Sequence, residues 1–208
     1  MFNVANIIKF KQLERYQGFI FDMDGTLIDT MPAHLKAWAT TAIEFGFPFK
    51  QEWLHSLGGM PSYKIASEIN KKYGLTLDPM AVSCFKMKTF GALEDFGRPI
   101  ESTNEVLTHF YGKKKIAVGT GSQRESALRL LSESQILDKL DTVVTATDVK
   151  RHKPHPDTFL VAAQELNLLP SECVVFEDTE LGKQAAHAAQ MDCVMVEGSG
   201  LAFYPCPH

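Results

Sequence analysis

The sequence predicts an α/β protein in which a Rossmann-like parallel sheet carries helices on both faces and an all-helical segment is inserted after the first strand. Three observations carry this prediction. Phe19-Ile20-Phe21 is an unbroken apolar run that stops at two carboxylates, the pattern of a strand buried on both faces. Beyond Pro99, strand-like apolar runs alternate with helical stripes, the rhythm of a covered parallel sheet. From Pro32 to about Phe96 that rhythm is absent, and helical stripes follow one another without a strand between them.

Taken in order, residues 1–15 mix Phe2, Ile7, Ile8 and Phe10 with Lys9, Lys11, Glu14 and Arg15. They read as a short helix or loose lead-in, because the apolar core and small-residue cleavage site of a secretory signal are missing. After the first strand, Thr30 is expected to cap a helix and Pro32 to occupy its first turn. Leu35, Trp38, Ala42, Ile43 and Phe45 give that helix its stripe, ending near Gly46. Trp53, Leu54 and Leu57 predict a short helix that stops at Gly58-Gly59, and Ile65, Ala66, Ile69 and Tyr73 predict another that ends at Gly74. Asp78-Pro79 reads as cap and first residue of a fourth, with Val82, Phe85, Thr89 and Leu93 as its apolar face. Gly97-Arg98-Pro99 breaks the pattern. A helix through Val106, Leu107 and Phe110 then leads to the strand-like run at 116–120. Further helices at Ser126–Ser134, Asp157–Leu166 and Glu180–Gln190 separate strand-like runs at 143–144, 173–176 and 193–196. The expected domains are a core of residues 1–31 and 99–208 and a helical module of residues 32–98.

At 208 residues the chain is long enough for a full core. A net charge of −4 gives no basic footprint, so nucleic acid is not expected as a partner. Lys113-Lys114-Lys115 reads as a solvated turn. The four cysteines have no C-x-x-C spacing, and two sit in apolar runs, which favours free thiols in a reducing compartment. No stretch approaches the length of a membrane span. The expectation is a cytoplasmic monomer or weak homo-oligomer.

Each strand-like run but the third and the last ends in a polar cluster: Asp22 and Asp24, then Thr120-Gly121-Ser122, then Glu177-Asp178-Thr179. Lys153 stands before a helix, in Arg151-His152-Lys153-Pro154. Each cluster alone reads as an acidic turn, an N-cap or a surface lysine. In a parallel sheet, however, all the strand ends point one way, so a single face collects carboxylates, hydroxyls and a lysine. An oxygen-only acidic site suits Mg²⁺. A lysine, a hydroxyl and backbone N–H groups suit the oxygens of a phosphoryl group. One carboxylate can act as nucleophile and another can move a proton.

FDMDGTL at Phe21–Leu27, VGTGS at Val118–Ser122, KPHPDTF at Lys153–Phe159 and FEDTELG at Phe176–Gly182 together resemble the four motifs of the haloacid dehalogenase-like hydrolases. The resemblance covers the whole core, and the helical insertion matches the family's cap. It implies Asp22 as nucleophile and Mg²⁺ ligand, and Asp24 as general acid/base with its backbone carbonyl reaching the metal. It implies Thr120 and Lys153 as phosphoryl-holding groups, and Asp178 as a metal ligand joined by Glu177 or backed by it. Gly25, Thr26, Gly121 and Ser122 fall among the implied phosphate-binding positions. Asp24 favours phosphoryl chemistry, since the name-giving dehalogenases lack it.

Within the family the insertion is similar to that of the β-phosphoglucomutase-like group. His34 stands where that group places a cap-edge histidine, and Lys86 matches a cap lysine that contacts it. The plain alternative for Lys86 is a solvated side chain. Two departures oppose a mutase: Thr26 replaces a bulky apolar residue, and Gly58-Gly59-Met60-Pro61-Ser62 lacks the arginine that holds a second phosphate. The motifs most resemble those of bacterial fructose-1-phosphate and 6-phosphogluconate phosphatases. The resulting expectation is a Mg²⁺-dependent phosphatase for a small phosphorylated sugar. A sugar-phosphate mutase and a non-catalytic sugar-phosphate-binding protein are the rival readings.

Overall fold

The computed structural model describes residues 10–198 and 200–207; most of the N-terminal lead-in therefore lies outside the described residues, and only the short helix α1 (Phe10–Leu13) represents it. Strand β1 (Gly18–Phe21) lies mid-sheet, pairing in parallel with β2 (Lys115–Gly119) on one side and β4 (Cys173–Glu177) on the other. Its flanks are thus both covered by strands, and the pleat sends its side chains alternately to two helical layers. Phe19 and Phe21 join one core with Leu107 and Phe110 of α6 (Glu101–Phe110) and Leu130 of α7 (Arg124–Glu133). Ile20 joins the other with Phe159 of α8 (Asp157–Glu165) and Ala185 of α9 (Glu180–Ala188). All three β1 side chains are fully buried, each worth roughly 1.5–3 kcal/mol of transfer free energy. This is the physical content of the unbroken apolar run.

The sheet order is β3-β2-β1-β4-β5-β6, with β3 at Thr142–Val144 and β5 at Asp192–Glu197. The first five strands are parallel. The sixth, β6 (Gly200–Tyr204), runs antiparallel to β5 and is the element the sequence reading lacked. Its burial is partial, as befits an edge strand; Leu201-Ala202-Phe203-Tyr204 is an apolar run, but it follows β5 with no helix between and so falls outside the strand–helix rhythm. Chain order reverses around β1, where one neighbour is β2 and the other β4. This is the switch point at which open α/β sheets form a crevice beyond the strands' carboxyl ends.

Between β1 and α6 the chain forms four helices: α2 (Met31–Phe45), α3 (Gln51–Ser56), α4 (Ser62–Tyr73) and α5 (Pro79–Gly91). They have their own core of Trp38, Ala42, Leu54, Ile65, Ile69 and Val82. The chain leaves and re-enters the sheet layer side by side: Ile28 bridges Pro99, and the Asp29 N–H donates to the Arg98 carbonyl at 2.9 Å. Ala33, Ala37 and Phe90, at the root of this module, belong to the core under the sheet.

Two expectations need correction here. Thr30 occupies the cap position of α2 but makes no capping hydrogen bond; its hydroxyl goes to Asp24 instead. The buried face of α5 is Val82, Lys86 and Phe90, not the stripe through Phe85, Thr89 and Leu93. The phase differs because a lysine lies on the inward face, where an apolar pattern would not place it. Asp78 caps α5 as expected, accepting from the Met80 N–H at 2.9 Å.

Candidate active site

Asp22 follows β1 directly, and its N–H continues the ladder to the Phe176 carbonyl at 2.9 Å. That register puts its carboxylate beside Glu177, the last residue of β4. Lys153 reaches between the two, donating to Asp22 Oδ1 at 2.5 Å and Glu177 Oε1 at 2.6 Å. All three side chains are almost completely buried. Burial pushes the Asp22 carboxyl well above its ordinary range; Lys153 opposes this, while Glu177, Asp178 and Asp24 add to it. Burial works against the Lys153 ammonium, but Asp22 and Glu177 outweigh it and raise the group above its ordinary value.

Glu177, expected as a metal ligand or as support for one, has its first oxygen on Lys153. Its second oxygen accepts from the Asp178 and Thr179 N–H groups and the Thr179 hydroxyl at 2.8–3.0 Å. Both oxygens are thus taken by protein donors. Thr26, expected against phosphate, is fully buried and instead donates to Asp178 Oδ1 at 3.1 Å. The fold decides this, because the loop after Asp24 turns back beneath Asp178. Gly25 makes that turn at φ +84°, where a Cβ would stand 2.3 Å from Asp178 Oδ2; only glycine fits.

Asp24 has a different environment from Asp22, two residues away. It accepts from Thr30 at 2.6 Å, from Ser122 at 2.7 Å, and from Thr120 at 3.4 Å. His34 Nε2 lies 3.1 Å from Oδ1. Burial alone would raise its carboxyl, but His34, Thr30 and Ser122 together hold it below the ordinary range. The Thr120 hydroxyl also accepts from the Ser122 N–H at 3.0 Å, so the second cluster is oriented as one unit toward Asp24.

His34 and Lys86 meet. Lys86 Nζ lies 2.5 Å from His34 Nδ1, and the His34 ring stacks on Phe90 at 4.2 Å. A charged lysine has only donors, so its bond to Nδ1 leaves Nε2–H to face Asp24. Lys86 is 1% exposed, which rules out the solvated reading. Burial lowers its pKa to about 7, with Asp24 opposing. Burial and Lys86 also lower His34, against the pull of Asp24. Because the unfolded lysine keeps its proton to a higher pH than the folded one, this group makes stability rise with pH from about 7 toward the ordinary lysine value of 10.5. Lys86→Met is expected to flatten that rise, as read from denaturant midpoints at pH 6 through 9; an unchanged slope would assign it elsewhere.

These groups line a cavity of about 60 Å³ between sheet and helical module. Asp22, Asp24, Thr120 and Ser122 form its floor. Its other wall is Met31, Leu35, Trp38, Met60 and Met87, with Ser62, Ser83, Lys86 and Gln123 as polar points. The module closes tightly on the core: a Cβ on Gly121 would lie 2.3 Å from the Gly59 carbonyl oxygen. Ser83 and Gln123 line the cavity, Thr30 holds Asp24 and Thr179 holds Glu177; of the four, only Thr179 stands out in the sequence, as part of a strand-end cluster. Both threonines look like helix caps in sequence, and Thr179 is one, accepting from the Gly182 N–H at 3.0 Å.

The donor set fits Mg²⁺. Burial and Glu177 push Asp178 up to about 7, with Thr26 and Lys153 opposing; Asp22, Glu177 and Asp178 crowd round the single ammonium of Lys153, so their ionised forms would gain from a further cation. Among the described residues no three His, Cys, Asp or Glu side chains are gathered closely enough to hold an ion alone. Asp22 and Asp178 offer oxygen donors at the carboxyl ends of β1 and β4, and Mg²⁺ takes one or two carboxylates and keeps several waters.

Fold and site together define an α/β protein whose polar residues gather at the carboxyl ends of a doubly covered sheet, beneath a helical module. Residues 19–196 match the haloacid dehalogenase-like hydrolases, and the chain belongs to that family. It is 42% identical over 184 residues to the fructose-1-phosphate phosphatase YqaB of Escherichia coli, covering 88% of this chain and 97% of that one. It is 27% identical to a phosphorylated carbohydrates phosphatase of Thermotoga maritima, covering 85% and 82%. Among solved structures, a β-phosphoglucomutase from Clostridium difficile superposes with a TM-score of 0.79 at 28% identity, covering 88% and 85%. No helix among the described residues is long and apolar enough to cross a membrane.

Proposed function

We propose that the protein is a Mg²⁺-dependent phosphatase that hydrolyses a small sugar phosphate, of the fructose 1-phosphate or 6-phosphogluconate type, through an aspartyl-phosphate on Asp22. The observation that carries this reading is the contrast between two carboxylates two residues apart. Asp22 is buried against a lysine at the floor of the cavity, and Asp24 is held by hydroxyls and a histidine. One is placed to attack and the other to handle a proton.

In the first half-reaction an Asp22 carboxylate oxygen bonds to phosphorus and the bond from phosphorus to the sugar oxygen breaks. Asp24, a carboxylate in the free protein, takes up a proton as substrate binds and passes it to that oxygen. Lys153 orients Asp22 and, with the Thr120 hydroxyl and the N–H groups of the 120–122 turn, holds the phosphoryl oxygens. In the second half, Asp24 takes a proton from water as the water oxygen bonds to phosphorus. The bond from Asp22 to phosphorus then breaks and releases inorganic phosphate. His34, in contact with Asp24 Oδ1 and Lys86, keeps that carboxylate oriented between the two proton transfers. Asp22, Asp178 and the Asp24 backbone carbonyl would hold Mg²⁺, with Glu177 behind them. When bound, the ion offsets charge on the phosphoryl group. Residues 32–98 would act as a cap that closes to exclude water and opens for release.

A sugar-phosphate mutase needs a second anion site under the cap. The cap-side polar points in the cavity are His34, Ser62, Ser83 and Lys86, of which His34 and Lys86 are committed to each other and, through His34, to Asp24. That set favours a hydroxylated leaving group over one carrying a second phosphate, and so a hydrolase. The test is a phosphate-release screen over sugar mono- and bisphosphates, with Mg²⁺ and with chelator. Release from a sugar monophosphate that chelator abolishes is expected. Isomerisation of β-glucose 1-phosphate in the presence of a bisphosphate activator would give the mutase instead, and tight binding without turnover would give a sensor.

A further inference from the structure

Beside Lys153 stands a residue that the chemistry above does not use. His152 is 5% exposed, although it belongs to a loop and not to a strand or helix. What buries it comes from the helical module. Tyr63, on the first turn of α4, places its hydroxyl 2.9 Å from His152 Nε2, and the two rings meet edge to face with centroids 6.1 Å apart. Burial and nearby Lys64 lower the His152 pKa, with Asp157 opposing, so the neutral ring offers one donor and one acceptor nitrogen.

Four residues before Tyr63, the chain touches the same loop again. A Cβ on Gly59 would lie 3.5 Å from Lys153 Cδ and 3.3 Å from the Thr179 hydroxyl. The Gly59 carbonyl in turn lies over Gly121. Residues 59–63 therefore rest on both His152 and Lys153, and Lys153 is the group that holds Asp22 and Glu177 together. Tyr63 and His152 form the side-chain hydrogen bond that joins this part of the module to the lysine loop.

We propose that Tyr63 is a positioning residue: its hydrogen bond to His152 latches the module closed over the core and holds the Lys153 loop in its working place. Opening of the module breaks this bond, and closing remakes it while Gly59 returns against Lys153. Closure and the setting of the lysine are thereby linked. A single net hydrogen bond shifts such an equilibrium by about fivefold.

The kinetic part of the test rests on the phosphatase reading; the spectroscopic part does not. Tyr63→Phe keeps the ring and removes the hydroxyl. It is expected to lower kcat/KM about fivefold for whichever sugar phosphate the wild-type protein turns over, with its melting temperature lowered by no more than a few degrees. His152→Asn is expected to do the same, and the double variant to be no worse than either single one. In the protein with Mg²⁺ and inorganic phosphate, Tyr63→Phe is expected to shift the His152 ring nitrogen resonances. Full kcat/KM in Tyr63→Phe, additive losses in the double variant, or unmoved His152 resonances would each overturn the latch. If the wild-type protein hydrolyses no sugar phosphate, the phosphatase reading fails, and the resonances still decide the latch.

Discussion

Asp22→Asn is expected to remove phosphatase activity by roughly 10⁴-fold or more, the scale of losing a covalent nucleophile while binding and electrostatic groups remain. The amide keeps the shape of the carboxylate but cannot form the phosphorylated intermediate. The fold should survive. Lys153 retains Glu177 at 2.6 Å, and the variant loses a carboxylate that burial and the neighbouring acids already hold well above its ordinary pKa. The sign follows from that direction. A carboxyl whose folded pKa is raised binds more protons folded than unfolded, so its contribution to stability falls as pH rises from the ordinary carboxylate value through the folded one. Asp22→Asn should therefore be at least as stable as the wild-type protein at neutral pH and show less loss of stability with rising pH. Phosphate release and thermal melting on the same preparation separate the two effects. An Asn variant with full activity would refute Asp22 as the nucleophile.

Lys153→Ala should be costly to both fold and activity. Its ammonium is the cation shared by Asp22 and Glu177, with all three side chains at most 4% exposed. Removing one partner of a buried ion pair typically costs about 3–5 kcal/mol, because the partner charge stays behind unpaired. Here two carboxylates are left facing each other. Protonating them relieves the strain, so the deficit relative to wild type should shrink as pH falls, which equilibrium unfolding at pH 5 and pH 8 would show. Activity should fall on the order of 10²–10³-fold, as for loss of one preorganised charge donor. A variant equally stable at both pH values and close to wild type would mean that the triad contributes little to the fold.

Much of the architecture was legible because its signals are local. The apolar run at 19–21, the alternation beyond Pro99 and the cap at Asp78 each declare themselves within a few residues. The four motifs are similarly short, and parallel strands bring their ends to one face. The partner of each side chain was less legible. Thr30 reads as a helix cap, yet its hydroxyl is drawn to Asp24 because the chain folds back over the loop after β1. Lys86 breaks the apolar stripe of α5, yet it is buried because His34 meets it from α2. Glu177 reads as a possible metal ligand, yet Lys153 and the two following N–H groups occupy it.

The amino-acid sequence by itself determined the layering, the strand after which the helices are inserted and the residue types gathered at the strand ends, because periodicity and strand direction are properties of short segments. Only the tertiary structure decided how those residues divide their work. Asp22 faces a lysine 131 positions away, Asp24 a serine 98 positions away, and Tyr63 a histidine 89 positions away. The burial and charge that set each group's protonation come from those distant neighbours, and contacts of that range are written in no local pattern.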